Sequence, residues 1–315
     1  MSSGRRAHRI DWVIATTDYE LVTQSAGLVV RSQRAIFELI GGESAEFLHS
    51  QVTNDIEALE PGEGCYAALL DHKGKIRTDM RVLALAPDRL LLDSEAMGRE
   101  ALRYTFETYS LGRDVSSRDL SEERTVVSLL GPDAGALLDT TLPGAEHGTV
   151  ERALGVYATT DLGVDVIASV ESLGAVRAIA PEVGEDVAEC LRIEAGRPRL
   201  GLDMDGGTIP QEAGLNERAV SFTKGCYVGQ ETVARLFYRG KPNRHLRGLR
   251  LDEAPEHGSP IVLGQRQVGV VGSSACSPLF GPIALALVRR EAEPGAAVEV
   301  GGRPATVVEL PFVAG

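Results

Sequence analysis

The residues best placed to do chemistry lie in one run, Lys224-Gly225-Cys226-Tyr227-Val228-Gly229-Gln230-Glu231-Thr232, where a single cysteine stands between two glycines. Gly225 and Gly229 allow backbone angles closed to other residues, so the run can turn tightly or admit a ligand to the main chain. Val233, Leu236 and Phe237 then fall at i, i+3 and i+4, the apolar stripe of a short helix. Cys226 therefore stands just before a helix N-terminus with Lys224 two residues away, and both neighbours favour thiolate over thiol. The same spacing also suits a small, inert cysteine buried in a glycine-rich connection.

A second candidate is a carboxylate. Val183, Val187, Cys190 and Leu191 form the apolar face of a helix expected over 183–196, and Glu194 continues that row at its C-terminal end. Half buried and at the negative end of the helix dipole, Glu194 needs hydrogen-bond donors. An internal salt bridge to Arg192, Arg197 or Arg199 would supply them, and so would a ligand carrying paired N–H groups. Downstream, Arg235, Arg239, Lys241, Arg244, His245, Arg247 and Arg250 form either a solvated face or an anion-receiving rim. His49, His72 and His245 share no metal-ligand spacing, so no metal site is expected.

The elements that must position these residues follow from patterning. At 315 residues, two domains are expected. Ser44 can cap a short helix carrying Phe47 and Leu48, and a loop follows from Val52 to Pro61. Strands are expected at 66–70 and 76–85, joined by a hairpin at His72-Lys73-Gly74, and at 89–93; Ser94 can cap a helix over 95–109. A second stretch carries strands at 125–130, 155–160 and 164–170 and helices near 133–139 and 172–179. This alternation is too irregular for a doubly wound sheet and points to an α+β fold of two similar mixed layers. From about 245, short apolar segments separated by Gly and Pro suggest a small β-barrel or sandwich. Trp12, the single tryptophan, reads as a packing anchor.

Composition narrows the function classes. A net charge of −13 disfavours a broad nucleic-acid surface, because phosphate binding needs a positive field. No apolar run is long enough to span a bilayer and the N-terminal residues lack a secretory signal's apolar core, so a cytoplasmic setting is expected. Cys65, Cys190, Cys226 and Cys276 form no CxxC pair, which argues against a resident zinc or iron-sulfur centre.

KGCYVGQE resembles the KGC-[FY]-x-GQE signature of the YgfZ family, folate-binding relatives of the glycine-cleavage T-protein that support iron-sulfur cluster assembly. Arg192 to Pro198 is similar to the R-[IL]-E-A-G segment of both groups; Phe47 to Asp55 and Leu70 to Lys75 resemble the FLQGQ-x-TND and LD-x-KG-[KR] blocks. The resemblance implies a folate-binding region over 1–244, with subdomains near 20–120 and 121–244, followed by a C-terminal barrel over 245–315. It implies tetrahydrofolate as cofactor, held on Glu194 through the pterin, with Lys224, Gly225, Tyr227, Gln230 and Arg235 as further contacts and Tyr109 beside the ring. Cys226 is then the functional thiol, and iron-sulfur assembly proteins or client enzymes are the partners. The alternative is an aminomethyltransferase of the T-protein type. Against it, the T-protein's adjacent aspartates align with Thr78 and Asp79, so one carboxylate is missing and Asp79 is a doubtful catalytic acid. Asn54, Asp55 and Asp71 are expected to shape loops.

Overall fold

The structure, a computed structural model, describes residues 15–138 and 140–313; Trp12 lies outside the described residues. In chain order the first strands are β1 (Gly27–Arg31), β2 (Arg34–Ile40), β3 (Gly64–Leu70), β4 (Ile76–Ala86), β5 (Arg89–Glu95) and β6 (Ser116–Asp119). They are followed by β7 (Arg124–Leu130), β8 (Thr149–Arg152), β9 (Gly155–Thr160) and β10 (Gly163–Ser169). The helices are α1 (Thr16–Gln24), α2 (Ser44–Gln51), α3 (Arg99–Tyr109), α4 (Leu173–Arg177), α5 (Glu185–Glu194), α6 (Asn216–Ala219) and α7 (Gln230–Arg239). The last strands are β11 (Arg244–Leu251), β12 (Pro260–Leu263), β13 (Arg266–Ser277), β14 (Gly281–Arg289), β15 (Ala297–Val300) and β16 (Arg303–Val308).

These strands make two five-stranded sheets and a barrel, an α+β architecture. The first sheet runs β3-β4-β5-β2-β6, the second β1-β7-β10-β9-β8, and β11-β14-β13-β12-β15-β16 closes on itself. Closure removes the exposed strand edges of a short-stranded, glycine-punctuated segment. β1 precedes the whole first sheet in sequence yet pairs with β7 of the second, which ties the two layers together.

Alternation along β4 explains where the site lies. Met80 and Val82 point into an apolar core with Phe37, Phe47 and Phe106. The opposite face carries Asp79, Arg81 and Leu83, and it turns toward the second sheet. Leu83 joins Ile36, Leu91, Val126, Val156 and Ile167 in the apolar half of the contact between sheets. Asp79 and Arg81 belong to its polar half.

Three expected local features differ. Residues 133–138 form turns and no helix, because Gly135 interrupts a segment that buries only Ala134 and Leu138. Ser44 is the first residue of α2 and its buried hydroxyl has no partner, so it caps nothing. Ser94 is still in β5: its hydroxyl donates to the Asp79 carbonyl at 2.5 Å, and α3 starts only at Arg99 after a 3-10 turn.

Candidate functional site

Tertiary structure joins the separated sequence blocks. Lys224 is buried, and its Nζ donates to the carbonyls of His49, Val52 and Asn54 at 2.5, 2.7 and 2.8 Å. Burial pulls the ammonium down to about 8, with Asp55, Cys65 and Glu57 opposing that shift. The expected support of Lys224 for a Cys226 thiolate is therefore corrected: the lysine is a staple that fastens the cysteine loop to the end of α2. Cys226 itself is exposed, whereas Tyr227 beside it is buried.

The two glycines part company. Gly229 has φ +85°, and a Cβ there would stand 2.4 Å from the Asp71 carbonyl oxygen. The hairpin glycine that faces it, Gly74, has φ +77° and would set a Cβ 2.9 Å from Thr232. The cysteine loop and the β3–β4 hairpin thus meet backbone to backbone. Gly225, in contrast, has no positive φ, and a Cβ would only make ordinary contact with His49 Nε2 at 3.7 Å. His49 Nδ1 lies 3.2 Å from Asp55 Oδ1, so the imidazole is held beside the loop.

From this loop a chain of hydrogen bonds leads inward. Lys224 donates to the Asn54 carbonyl, Asn54 Nδ2 donates to the Tyr66 carbonyl at 2.8 Å, and the Tyr66 hydroxyl donates to Asp79 Oδ2. Asn54, Asp55 and Asp71 shape their loops as expected; Asp71 Oδ1 accepts the N–H groups of Lys73 and Lys75 at 2.8 Å each.

Around Asp79 the polar half of the sheet contact is a charge network. Arg81 donates to Asp93 at 2.7 Å and, across the sheets, to Asp165 at 2.8 Å. Arg34 binds Asp93 Oδ2 at 2.5 Å and Glu95 at 2.6 Å. Burial raises the pKa of Asp93, but Arg81 and Arg34 outweigh it and hold the carboxyl down to about 2. Asp79 has no such partner: burial lifts it to about 6 despite the Tyr66 hydrogen bond and Arg34, with Glu95 adding to the rise. Its Oδ1 is buried without a hydrogen-bond partner, as is Arg81 Nη2. Thr78 faces the other side of β4, its hydroxyl 2.8 Å from Ser94 Oγ, away from this network.

Glu194 finds its donors within the chain: Tyr19 hydroxyl at 3.0 Å to each oxygen, Ser277 Oγ at 2.5 Å and Cys190 Sγ at 3.3 Å. The three arginines considered for it pair elsewhere: Arg192 with Glu189 and Asp203, Arg197 with Asp161, and Arg199 with Glu95 and Glu189. Gln230 opens α7 and Arg235 is exposed along it. Tyr109 is exposed at the end of α3, edge-on to Tyr104. Tyr104, together with Arg77 and Lys75, lines a surface hollow of about 570 Å³. In the basic segment, Arg244 pairs with Glu212 and Arg247 with Glu309, while Arg250 covers Phe280 and Phe312. Arg235, Arg239 and Lys241 stay exposed.

Residues 8–168 match the GCVT N-terminal domain and residues 244–314 the glycine cleavage T-protein C-terminal barrel domain. The chain belongs to the glycine cleavage T-protein family. The aminomethyltransferase of Rubrobacter xylanophilus is 29% identical, over 94% of this chain and 85% of its own length. The tRNA-modifying protein YgfZ of Colwellia psychrerythraea is also 29% identical, over 70% of each. Among solved structures, the aminomethyltransferase T of Bartonella henselae superposes with a TM-score of 0.85 at 25% identity, covering 95% of this chain and 89% of that one. The cysteine loop falls between the two matched segments of the T-protein family, and Asp79 falls inside the first.

Proposed function

We propose that the chain binds a reduced folate, tetrahydrofolate, at the polar contact between its two sheets and acts as a YgfZ-type accessory protein in iron-sulfur cluster assembly or repair. The observation that carries the folate reading is Asp79: a buried carboxyl with one oxygen on Tyr66 and the other without a partner. A buried acceptor left unpaired is costly, and the N–H of a ligand would satisfy it. A bound pterin supplies such N–H groups, and its reduced ring supplies the amine that one-carbon chemistry uses. Asp79 accepts that N–H, Tyr66 orients the carboxyl, and the Arg81–Asp93–Arg34 network keeps the neighbouring charges fixed. Glu194 can serve as the pterin anchor only by exchanging Tyr19 and Ser277 for ligand, so Asp79 is the stronger anchor.

The accessory reading rests on the KGC motif and its setting: an exposed thiol on a loop clamped by Lys224, within reach of a partner protein and tied to Asp79 through Asn54 and Tyr66. Iron-sulfur assembly proteins or their clients are the partners this implies, in a cytoplasmic setting where four free cysteines stay reduced. Calorimetry with tetrahydrofolate tests the ligand: saturable binding that Asp79→Asn weakens supports it, and no binding to the wild type rejects it. Complementation by Cys226→Ala of a strain lacking its own YgfZ homologue tests the thiol; full rescue rejects its role.

One observation favours a second reading, a folate-dependent aminomethyltransferase. The aspartate on the network side of β4 is present, and Thr78 replaces a residue on the far side of the strand. Release of ammonia from an aminomethylated carrier protein in the presence of tetrahydrofolate would establish it.

A further inference from the structure

The second sheet reaches back to the first through the loop between β7 and β8, and that loop delivers His147. Among the described residues His147 is the one non-glycine residue at positive φ, 67°. Such a backbone is strained for a side chain and persists only where its surroundings over-determine it. The His147 N–H donates to the Thr159 carbonyl at 2.8 Å and the Thr149 N–H to that of Gly62 at 2.7 Å. Its own carbonyl oxygen lies where a Cβ on Gly64 would come within 2.7 Å.

The ring that this strained loop inserts lies beside Tyr66 in an offset, near-parallel arrangement, centroids 6.2 Å apart and planes 19° from parallel. Arg218, on α6, also sits over the Tyr66 ring, at 5.3 Å. Tyr66 is the residue whose hydroxyl holds Asp79 Oδ2, and it stands directly opposite Arg81 in the β3–β4 register. His147 Nδ1 is buried without a partner, as is Asp79 Oδ1. At this positive φ histidine is tolerated better than phenylalanine or a branched residue, so it is the side chain that brings a ring to Tyr66 with least backbone strain.

We propose that His147 is the positioning residue of the Tyr66–Asp79 pair: it clamps the Tyr66 ring so that the tyrosine hydroxyl stays on Oδ2 and Oδ1 is left facing a ligand N–H. The ligand part of this inference rests on the folate reading above; the clamp itself does not. The groups that act on His147 are Arg81 from β4, Asp93 from β5, Arg218 from α6 and Glu146 on its own loop, with Tyr66 from β3 beside the ring. Burial first, then Arg81 and Arg218, push the imidazole down to about 4 against Glu146, so the clamp is neutral at physiological pH.

The test is a carboxyl-carbon NMR titration of Asp79 in the ligand-free protein, beside calorimetry with tetrahydrofolate, for wild type, His147→Asn, His147→Phe and Tyr66→Phe. Asparagine tolerates positive φ but removes the ring. His147→Asn and Tyr66→Phe should both move the Asp79 midpoint upward and weaken tetrahydrofolate about tenfold, without adding in the double variant. His147→Phe keeps a ring beside Tyr66 and should leave the midpoint in place while lowering stability, because phenylalanine is strained at positive φ. An unmoved midpoint in His147→Asn, or additive shifts, overturns the clamp. Slow Tyr66 ring flips in the wild type support it without any variant, and fast flips overturn it. If the wild type binds no tetrahydrofolate the functional reading fails, and the titration still decides the clamp.

Discussion

The Cys226 loop and buried Asp79 are joined through Asn54 and Tyr66 yet built on opposite physical terms. Cys226 is exposed and its loop is held by one buried ammonium on three carbonyls. Asp79 is buried among charges that all have partners except its own Oδ1 and Arg81 Nη2. An exposed thiol on a rigid loop can be met by a surface as large as another protein. A sealed carboxyl is out of reach of any such surface. On the proposed function, the difference separates a site for partners from a site for ligand within one connected network.

Breaking the loop's anchor should have the largest effect. Lys224→Met leaves three carbonyls without their donor and should cost about 3 kcal/mol of stability, read from denaturant unfolding. A loss within about 0.5 kcal/mol would show that the loop does not depend on the staple. Gly229→Ala should cost about 2 kcal/mol or more, because Cβ would collide with the Asp71 carbonyl at a left-handed φ. Gly225→Ala, at an ordinary φ, should fall within about 0.5 kcal/mol, and equal costs at the two glycines would contradict their different roles.

The buried site is broken by pH. Asp79, raised to about 6, contributes stability that is complete below the ordinary carboxylate range and lost as pH rises through 6. His147, lowered to about 4, contributes stability present above the ordinary imidazole range and lost as pH falls toward 4. The two slopes oppose each other between those values. Asp79→Asn removes the falling one, worth roughly 2–3 kcal/mol, so its stability should climb with pH more steeply than the wild type's. An equal or shallower slope would mean that Asp79 ionises freely. The smallest effect is expected at the thiol: Cys226→Ala should alter stability by less than about 0.5 kcal/mol while removing one of two rapidly labelled thiols, the other being Cys276. Slow labelling of Cys226 in the native protein would contradict its exposure.

Much of this arrangement is legible in the residues. Glycine and proline spacing marks the barrel strands, and Pro260–Leu263 and Ala297–Val300 fall where the apolar runs stand. The Asp71–Gly74 turn is legible because its chemistry is local: one carboxylate closes it on two adjacent N–H groups. β1 and β2 are absent from the expected elements although Leu28-Val29-Val30 and Ala35 to Ile40 are apolar enough to mark them. β6, Ser116–Asp119, carries no such signal, because it is a polar strand at a sheet edge. Ser44 and Ser94 mislead for different reasons: Ser44 is already inside α2, and the Ser94 hydroxyl is taken by the Asp79 carbonyl within β5.

By itself the sequence determined the α+β class, the barrel, the family blocks and the isolation of Cys226 from any second nearby cysteine. Only the tertiary structure decided what each charged residue does, since that depends on which partner arrives from a distant segment. Lys224 meets carbonyls some 170 positions away, Glu194 meets Tyr19 and Ser277, and Asp79 meets Tyr66 beside the ring of His147. Local spacing carries the backbone's choices because turns and strands close within a few residues. Burial and charge pairing are properties of the packed whole, and no window along the chain contains them.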